Sequence, residues 1–341
     1  MICKQITYAD YRCIENKILT LEPEINVIRG ANGTGKTSML EGIYVFARGK
    51  SFRTQHDDEL IRFGCEYASL DMVFETEDRE GPQRAKMIYG SGGRKNCFFN
   101  DVRIPRISEF IGVFRAVLFC PKHLALVQSG PSGRRLFLDS AISQIEPSYI
   151  KTLQRYSAIL AQRNALLKDL RDNMPGADAD MLEILSEQLA ESAAAVSQKR
   201  AEYTVSLNEK ASALLSDMTS GSETLMIIYR SRKFKEDFLR ELKENTDREI
   251  RYATTLFGVH RDDLDILHKG NDARAYASQG QQRSIALSMK LAEGEISKEL
   301  TGEYPVFLFD DLLSELDRSR KDYLRSGIKG KQVIITTAND N

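Results

Sequence analysis

Apolar positions along the chain follow two different spacings, and their succession predicts an α/β protein. Short apolar runs typical of strands stand near Ile2–Tyr8 and Asn26–Arg29, and residues 67–103 contain several more. Apolar residues at helical spacing predict a helix from Lys36 to about Arg48. Two later runs, "YPVFLFDD" and "KQVIITT", are typical of central parallel strands.

The middle of the chain has a helical pattern. From Lys151 to Asp172 apolar residues stand mostly three or four apart, and "NMPGAD" then interrupts the helix. Asp180 and Glu183 resemble a capping box that begins a second helix, which extends to about Asp217. An arm of about 38 residues is about 57 Å long, so we expect a helical hairpin sub-domain and not a long rod.

These patterns predict two domains, one inserted into the other. Residues 1–135 and 222–341 form a discontinuous α/β head, and residues 136–221 form an inserted helical lobe. After residue 222 the pattern is mixed again, since "ETLMIIYR" predicts a strand and "LDILHKGNDARAYA" predicts a hairpin.

Composition and charge exclude several classes of protein. The 341 residues are 42% hydrophobic and 28% charged, with a net charge of −1, so a nucleic-acid partner must be sought in local basic clusters. The N-terminus has no apolar segment of the secretory kind, and no run approaches the roughly 20 residues of a membrane helix. Five scattered cysteines fit reduced thiols, which favours a cytoplasmic protein without membrane contact.

"RGANGTGKTSML" has the spacing of a phosphate-binding loop between a predicted strand and a predicted helix. Glycines let backbone N–H groups surround a phosphate, and the helix N-terminus favours its negative charge. Lys36 is expected to reach the β- and γ-phosphates, and the Thr37 hydroxyl to bind Mg²⁺. The predicted nucleotide-binding residues of this loop are Gly30, Ala31, Asn32, Gly33, Thr34, Gly35, Lys36, Thr37 and Ser38.

The run "VFLFDD" supplies the acidic residues that such a loop requires. A buried strand would deliver Asp310 to the Mg²⁺ site, where we expect it to act through a water molecule. Asp311 follows at the place where a general base could orient an attacking water. We therefore predict Asp311 and Lys36 as catalytic residues and ATP and Mg²⁺ as cofactors.

"ASQGQQRSIAL" begins where a helical pattern starts, and by itself Ser278 with Gln281 is explained as a capping box. The order of the phosphate loop, an insertion, S-x-G-x-Q, an acidic strand and "SELD" at Ser314–Asp317 resembles that of the ABC ATPase superfamily. In that superfamily the S-x-G-x-Q turn binds the γ-phosphate held by a second subunit. The resemblance therefore implies that Ser278, Gly280 and Gln281 contact the nucleotide of a partner.

Within that superfamily the chain resembles the bacterial RecF family over nearly its full length. The resemblance rests on residues 30–53, on "RRLFLD", on "GVHRDDL", on "ASQGQQRSIAL" and on "FDDLLSELDRSR". It implies an ABC-type P-loop ATPase head with a mixed sheet and an ATP-dependent homodimer. It also implies binding to duplex DNA and gap junctions, partners of the RecO and RecR type, and roles in recombinational repair, replication and the SOS response.

The chain departs from the common ABC pattern at several positions. Gln128 is the only candidate for the glutamine that usually enters the helical lobe, and Thr336 and Thr337 stand where a histidine is usual. Asp311 is one methylene shorter than glutamate, so we predict hydrolysis slower than about 1 per second. Lys122 and His123 replace acidic residues, and the end at Asn341 suggests that a terminal strand is missing.

Contacts to DNA stay open at this point. The basic candidates are Arg134–Arg135, Tyr229–Lys235, Lys151, Arg155, Arg163 and Lys168, and for each a solvated surface is the alternative. Arg12 either approaches the nucleotide or lies on the surface, and "HRD" at His260–Asp262 has no evident role. Alternative functions are a transporter motor and an SMC-like structural head, although the short hairpin argues against the second.

Overall fold

The computed structural model describes residues 1–31, 33–121, 126–311 and 316–337. The strands are β1 (Ile2–Tyr11), β2 (Ile14–Thr20), β3 (Ile25–Arg29), β4 (Tyr67–Glu75), β5 (Gln83–Gly90), β6 (Arg94–Phe99), β7 (Val102–Ile104), β8 (Ala116–Phe119), β9 (Leu225–Tyr229), β10 (Leu264–His268), β11 (Asn271–Asp272), β12 (Val306–Asp310) and β13 (Val333–Thr337). The α-helices are α1 (Lys36–Arg48), α2 (Pro131–Ile145), α3 (Pro147–Arg171), α4 (Ala179–Met218), α5 (Lys235–Glu244), α6 (Thr246–Tyr252), α7 (Ala273–Tyr276), α8 (Gln279–Thr301) and α9 (Arg318–Gly327).

A four-stranded parallel sheet in the order β3-β13-β12-β8 places the predicted nucleotide motifs. Every residue of β12 is buried, as expected for a central parallel strand. Because the strands are parallel, the loop after β3 and the acidic end of β12 emerge at the same edge of the sheet.

A six-stranded antiparallel sheet, in the order β2-β1-β4-β5-β6-β7, lies in the N-terminal part. The run "NCFFNDVRI" alternates around Asn100–Asp101 and so predicts a hairpin, which the structure confirms: both residues have positive φ, at 48° and 64°, as a two-residue hairpin turn requires. Strand β2 is not predicted by the sequence pattern. That strand exposes four consecutive residues, so it lacks the alternation by which strands are detected.

The predicted helical hairpin is present as α3 and α4, with two corrections. The second arm begins at Ala179, and its N-cap is Asp178, which accepts a hydrogen bond from the Asp180 amide at 2.9 Å. The prediction that Asp180 begins the helix by a capping box with Glu183 is therefore wrong. The arm has 40 residues, and so a length of about 60 Å.

Among the described residues, three apolar cores hold these layers together. One lies between α1, the antiparallel sheet and one face of the parallel sheet, and a second lies between the other face of the parallel sheet, α8 and α9. The largest joins α2, α3 and α4 to β9, β10 and α8, so it contains residues on both sides of position 222. Within the described ranges, none of the helices combines the length and apolar character needed to cross a bilayer.

Candidate nucleotide-binding site

The phosphate loop connects β3 to α1 and depends on glycine at two positions. Gly33 and Gly35 have φ values of 88° and 89°, in the left-handed region that only glycine adopts without strain. A Cβ atom on Gly35 would also lie 2.9 Å from the Cys13 Sγ. Gly35 is the N-cap of α1 and offers no side-chain acceptor, so the first N–H groups of the helix remain available to an anion.

The side chains of the loop are drawn together around its own carbonyl groups. The Lys36 Nζ donates to the carbonyl oxygens of Gly30 and Ala31 at 2.6 and 2.8 Å. The Thr34 hydroxyl donates to the same Ala31 oxygen at 2.9 Å. These bonds hold a cation over a loop rich in N–H donors, which is a suitable arrangement for a polyphosphate. The predicted residue Asn32 lies outside the described residues.

The predicted metal-binding residues meet at the edge of the parallel sheet. The Thr37 hydroxyl donates to the Asp310 Oδ1 at 2.8 Å, and the Thr336 hydroxyl donates to the same oxygen at 2.9 Å. Asp310 is buried, so its carboxylate is fixed by these two donors. Hard oxygen groups in this arrangement fit Mg²⁺, which protein sites bind through few carboxylates and through water.

Asp311 follows Asp310 and has a different environment. Its side chain is exposed, and its backbone has a positive φ of 49°, which is uncommon for a residue with a side chain. The Asp311 amide donates to the carbonyl oxygen and to the hydroxyl of Thr336, at 3.2 and 3.1 Å. Thr336, one of the two threonines at the position of the usual histidine, is buried, and its hydroxyl is hydrogen-bonded to both aspartates.

The S-x-G-x-Q turn begins helix α8, as predicted. The Ser278 Oγ accepts from the Gln281 amide at 3.3 Å, and the Gln281 Oε1 accepts from the Ser278 amide at 2.9 Å, which completes the capping box. Gly280 lies in the first turn with ordinary helical φ, and a Cβ atom there would contact only the Arg320 guanidinium, no closer than 3.6 Å. The part of the chain that the structure describes therefore gives no steric reason for glycine at this position.

Gln128, the candidate lobe-entry glutamine, contacts the signature segment. Its Nε2 donates to the Gln282 Oε1 at 2.7 Å. Gln282 is buried, and its own Nε2 donates to the carbonyl oxygens of Ala273 and Ala277 at 3.2 and 3.0 Å. The predicted positions Lys122, His123 and Ser314 lie outside the described residues.

Arg12 contacts a buried carboxylate instead of the phosphate loop. Its guanidinium forms two hydrogen bonds to the Glu41 carboxylate, at 2.9 and 2.7 Å, and Glu41 lies on α1. Arg53 also reaches Glu41, at 3.4 Å, and donates to the Ser38 Oγ at 3.3 Å. Sequence reasoning did not single out Glu41 or Arg53, although both lie in the segment that resembles the RecF family.

Several residues considered for DNA binding are buried in ion pairs. Arg134 is 6% exposed and pairs with Asp263 at 2.7 Å, and Arg163 is fully buried against Glu249 at 2.6 Å. Both alternatives offered by the sequence, a DNA contact or a solvated surface, are wrong for these two arginines. Lys151, Arg155 and Lys168 are exposed on α3 and remain candidates for DNA contact.

The "GVHRDDL" segment joins the helical layer to a three-stranded sheet in the order β11-β10-β9. Asp262 is buried, accepts from the Tyr229 hydroxyl, and pairs with Arg200 of α4 at 3.4 Å; burial raises the pKa of this carboxyl. The His260 Nδ1 contacts the Tyr156 hydroxyl at 2.5 Å, and burial lowers the pKa of His260 to about 4. The segment is therefore a structural junction, which a single sequence could not reveal because its partners lie far away in the chain.

Comparison with known proteins agrees with this geometry. The family described as "RecF/RecN/SMC N terminal domain" matches residues 2–341. Proteins named DNA replication and repair protein RecF from Exiguobacterium sp. and Ruminiclostridium cellulolyticum are 40% and 38% identical to the chain, and each alignment covers 99% of this chain and 93% of the relative. The protein of that name from Staphylococcus carnosus is 39% identical, over 96% of this chain and 90% of the relative.

Solved structures are also similar to the chain. A structure described as the recombination mediator protein RecF-ATP in the RecFOR pathway matches with a TM-score of 0.93 and 34% identity, over 100% of this chain and 92% of that chain. The Smc head domain of Pyrococcus furiosus matches with a TM-score of 0.58 and 18% identity, over 99% of this chain and 90% of that chain. At that identity the second similarity shows the fold alone.

Proposed function

The chain belongs to the RecF family of DNA replication and repair proteins, and we propose that it is an ATP-gated DNA-binding switch of recombinational repair. In this proposal an ATP-induced homodimer binds duplex DNA and the junctions of single-stranded gaps, in the cytoplasm. Mediators of the RecO and RecR type would then load a recombinase there, which links the protein to the SOS response. The similarity to a RecF-ATP structure of the RecFOR pathway supports this assignment.

The observation that carries the proposal is the meeting of Lys36, Thr37 and Asp310 at one edge of the parallel sheet. Lys36 lies over the loop carbonyls and would turn to a polyphosphate, exchanging two neutral acceptors for a charged one. Thr37 and Asp310 already share a hydrogen bond and would bind the metal, Asp310 through water. ATP with Mg²⁺ would supply the energy that biases the protein between monomer and dimer.

Asp311 and Lys36 are the proposed catalytic residues. The exposed Asp311 carboxylate would orient an attacking water, while its amide remains held by Thr336. The hydroxyl of Thr336, which stands where a histidine is usual, is engaged by Asp310. An aspartate in place of a glutamate, beside a threonine that cannot carry charge, fits slow hydrolysis, which suits a switch better than a motor.

The turn at Ser278, Gly280 and Gln281 is proposed to bind the nucleotide of the partner. Glycine disfavours a helix by about 1 kcal/mol relative to alanine, and no described residue of the chain requires it at position 280. Close approach by a group from outside the chain explains that cost, and a helix N-terminus suits a phosphate. The capping box would keep the turn folded until that phosphate arrives.

Binding to a gapped duplex tests the proposal, with Mg²⁺–ATP, with ADP and without nucleotide, across a salt series because phosphate contacts weaken steeply with salt. We expect tight binding with ATP only. Lys36→Met should weaken ATP binding and dimerisation together. Ser278→Arg should keep ATP binding by the monomer but block the dimer. Binding that ignores the nucleotide would contradict the gated switch, and normal dimerisation of Ser278→Arg would contradict the trans contact.

A further inference from the structure

Arg320 connects the start of α9 to the turn that the proposed function assigns to the nucleotide of a partner. It lies in the first turn of α9, three residues after Asp317, and its side chain crosses to the first turn of α8. The Arg320 Nη2 donates to the Gly280 carbonyl oxygen at 3.0 Å, and the Nε donates to the Ser284 Oγ at 2.7 Å. The Nη1 pairs with the Asp317 carboxylate.

These contacts engage all three nitrogen atoms of the guanidinium. Each nitrogen donates one hydrogen bond to an acceptor in the chain, and the side chain is 21% exposed. Three of the five N–H groups of the arginine are therefore used to hold neighbouring segments together.

The geometry also explains why arginine is needed here. The planar fork of arginine donates in several directions at once, whereas a lysine ammonium is a single flexible point charge. Asp317 is the N-cap of α9 and accepts from the Arg320 amide at 2.9 Å, so the base of the side chain is fixed as well. Ser284 is buried and donates to the Gly280 oxygen at 3.2 Å. The carbonyl of the signature glycine is thus held from two sides.

We infer that Arg320 is a positioning residue that makes the Ser278–Gly280 turn and the Asp317 end of α9 one rigid unit. The inference rests on the proposed function, in which the turn meets the nucleotide of a partner. In the sequence, Asp317 follows six residues after Asp311, the residue that the proposed function assigns to the protomer's own nucleotide.

The test compares Arg320→Ala and Arg320→Lys with Arg325→Ala, a variant of the exposed arginine on the same helix. Sedimentation measures dimerisation with Mg²⁺–ATP, and a fluorescent ATP analogue measures nucleotide affinity of the dilute monomer. We expect unchanged monomer affinity and dimerisation weakened about 10- to 100-fold in both Arg320 variants, as for the loss of hydrogen bonds to a charged group. Arg325→Ala should behave as wild type.

Chemical rescue separates positioning from a general structural role. Guanidinium ion at low millimolar concentration should partly restore dimerisation of Arg320→Ala, but not of Ser278→Arg, whose turn is blocked. Melting temperatures show whether each variant is folded, and Arg320→Lys keeps the charge and the alkyl chain if the alanine variant does not fold.

The outcomes distinguish this inference from the proposed function. Wild-type dimerisation in both Arg320 variants, with Ser278→Arg still blocked, would overturn the inference and leave the switch intact. A tenfold or greater loss of ATP affinity in the monomer of both variants would also overturn it, because the defect would then lie in the protomer's own site. If the wild-type protein does not dimerise on ATP, both proposals fail together.

Discussion

The buried pair of Arg163 and Glu249 allows a test of whether a basic residue of α3 stabilises the core or contacts DNA. Arg163 is fully buried, and its guanidinium contacts the Ser186 hydroxyl at 3.0 Å, the Thr255 hydroxyl at 2.8 Å and the Glu249 carboxylate at 2.6 Å. The other Glu249 oxygen accepts from the Leu256 amide at 2.7 Å. The change Arg163→Met would leave this carboxylate buried without its cation.

The expected loss in the free energy of unfolding follows from that geometry. Removing one partner of a buried ion pair costs about 3–5 kcal/mol, because the remaining charge is uncompensated. An unfolding entropy of about 2.1 cal/mol/K per residue gives about 0.7 kcal/mol/K for a chain of this length, so the melting temperature should fall by about 4–7 °C. The double variant Arg163→Met with Glu249→Leu should lose much less stability, because an apolar pair of similar volume replaces the ion pair.

Thermal unfolding followed by circular dichroism measures these shifts, with Arg155→Met as the control. Arg155 is on the same helix and is 57% exposed, so its replacement should change the free energy of unfolding by about 0.5 kcal/mol or less. Below its melting temperature, Arg163→Met should bind DNA as wild type does. An unchanged melting temperature together with lost DNA binding would refute the assignment of Arg163 to the core.

Three further predictions concern other features of the site and the junction. Gly35→Ala should weaken ATP binding, measured by titration with a fluorescent analogue, since alanine would be strained at a φ of 89° and would clash with Cys13; normal affinity would contradict this. Maleimide labelling of the exposed Cys13, followed by mass spectrometry, should slow when Mg²⁺–ATP binds the neighbouring loop, and equal rates would argue against that closeness. Because the pKa of His260 is lowered to about 4, the unfolded state binds more protons between about pH 4 and 6.5, so stability should be complete above that range and decline as the pH falls through it. The change His260→Gln should reduce the difference in melting temperature between pH 5 and 7.5, and an unaltered difference would contradict the shift.

Local patterns were predictable from the sequence where one short segment contains both the cause and the effect. The phosphate loop, the capping box at Ser278 and the turn at Asn100–Asp101 all depend on residues within a few positions of each other. The fully buried β12 was equally recognisable, because a short, purely apolar run between polar residues is typical of a buried central strand. These features locate the candidate site before any coordinates are known.

The roles of charged side chains were predicted least well from the sequence, and the reason is physical. An arginine in a helical pattern looks the same whether its partner is DNA, water or a carboxylate many residues away. Arg163 and Glu249 become partners only when α3 packs against α6, and Arg200 meets Asp262 only when α4 packs against the segment before β10. Strand β2 was missed for a related reason, since its pairing with β1 provides the stability that its exposed side chains do not.

Helix α4 gives this protein a mechanical property. Its 40 residues extend without interruption from the tip of the hairpin, near Asp178, to Met218, which packs with the core beneath α9. Near that end the Tyr323 hydroxyl of α9 donates to the Leu214 carbonyl oxygen at 3.3 Å. Helix α4 also packs against α3 and α8 in the largest core, so it joins the hairpin tip to α9 as one continuous element about 60 Å long. A displacement of the tip would therefore be transmitted along α4 to α9, the helix that carries Asp317 at its N-terminus.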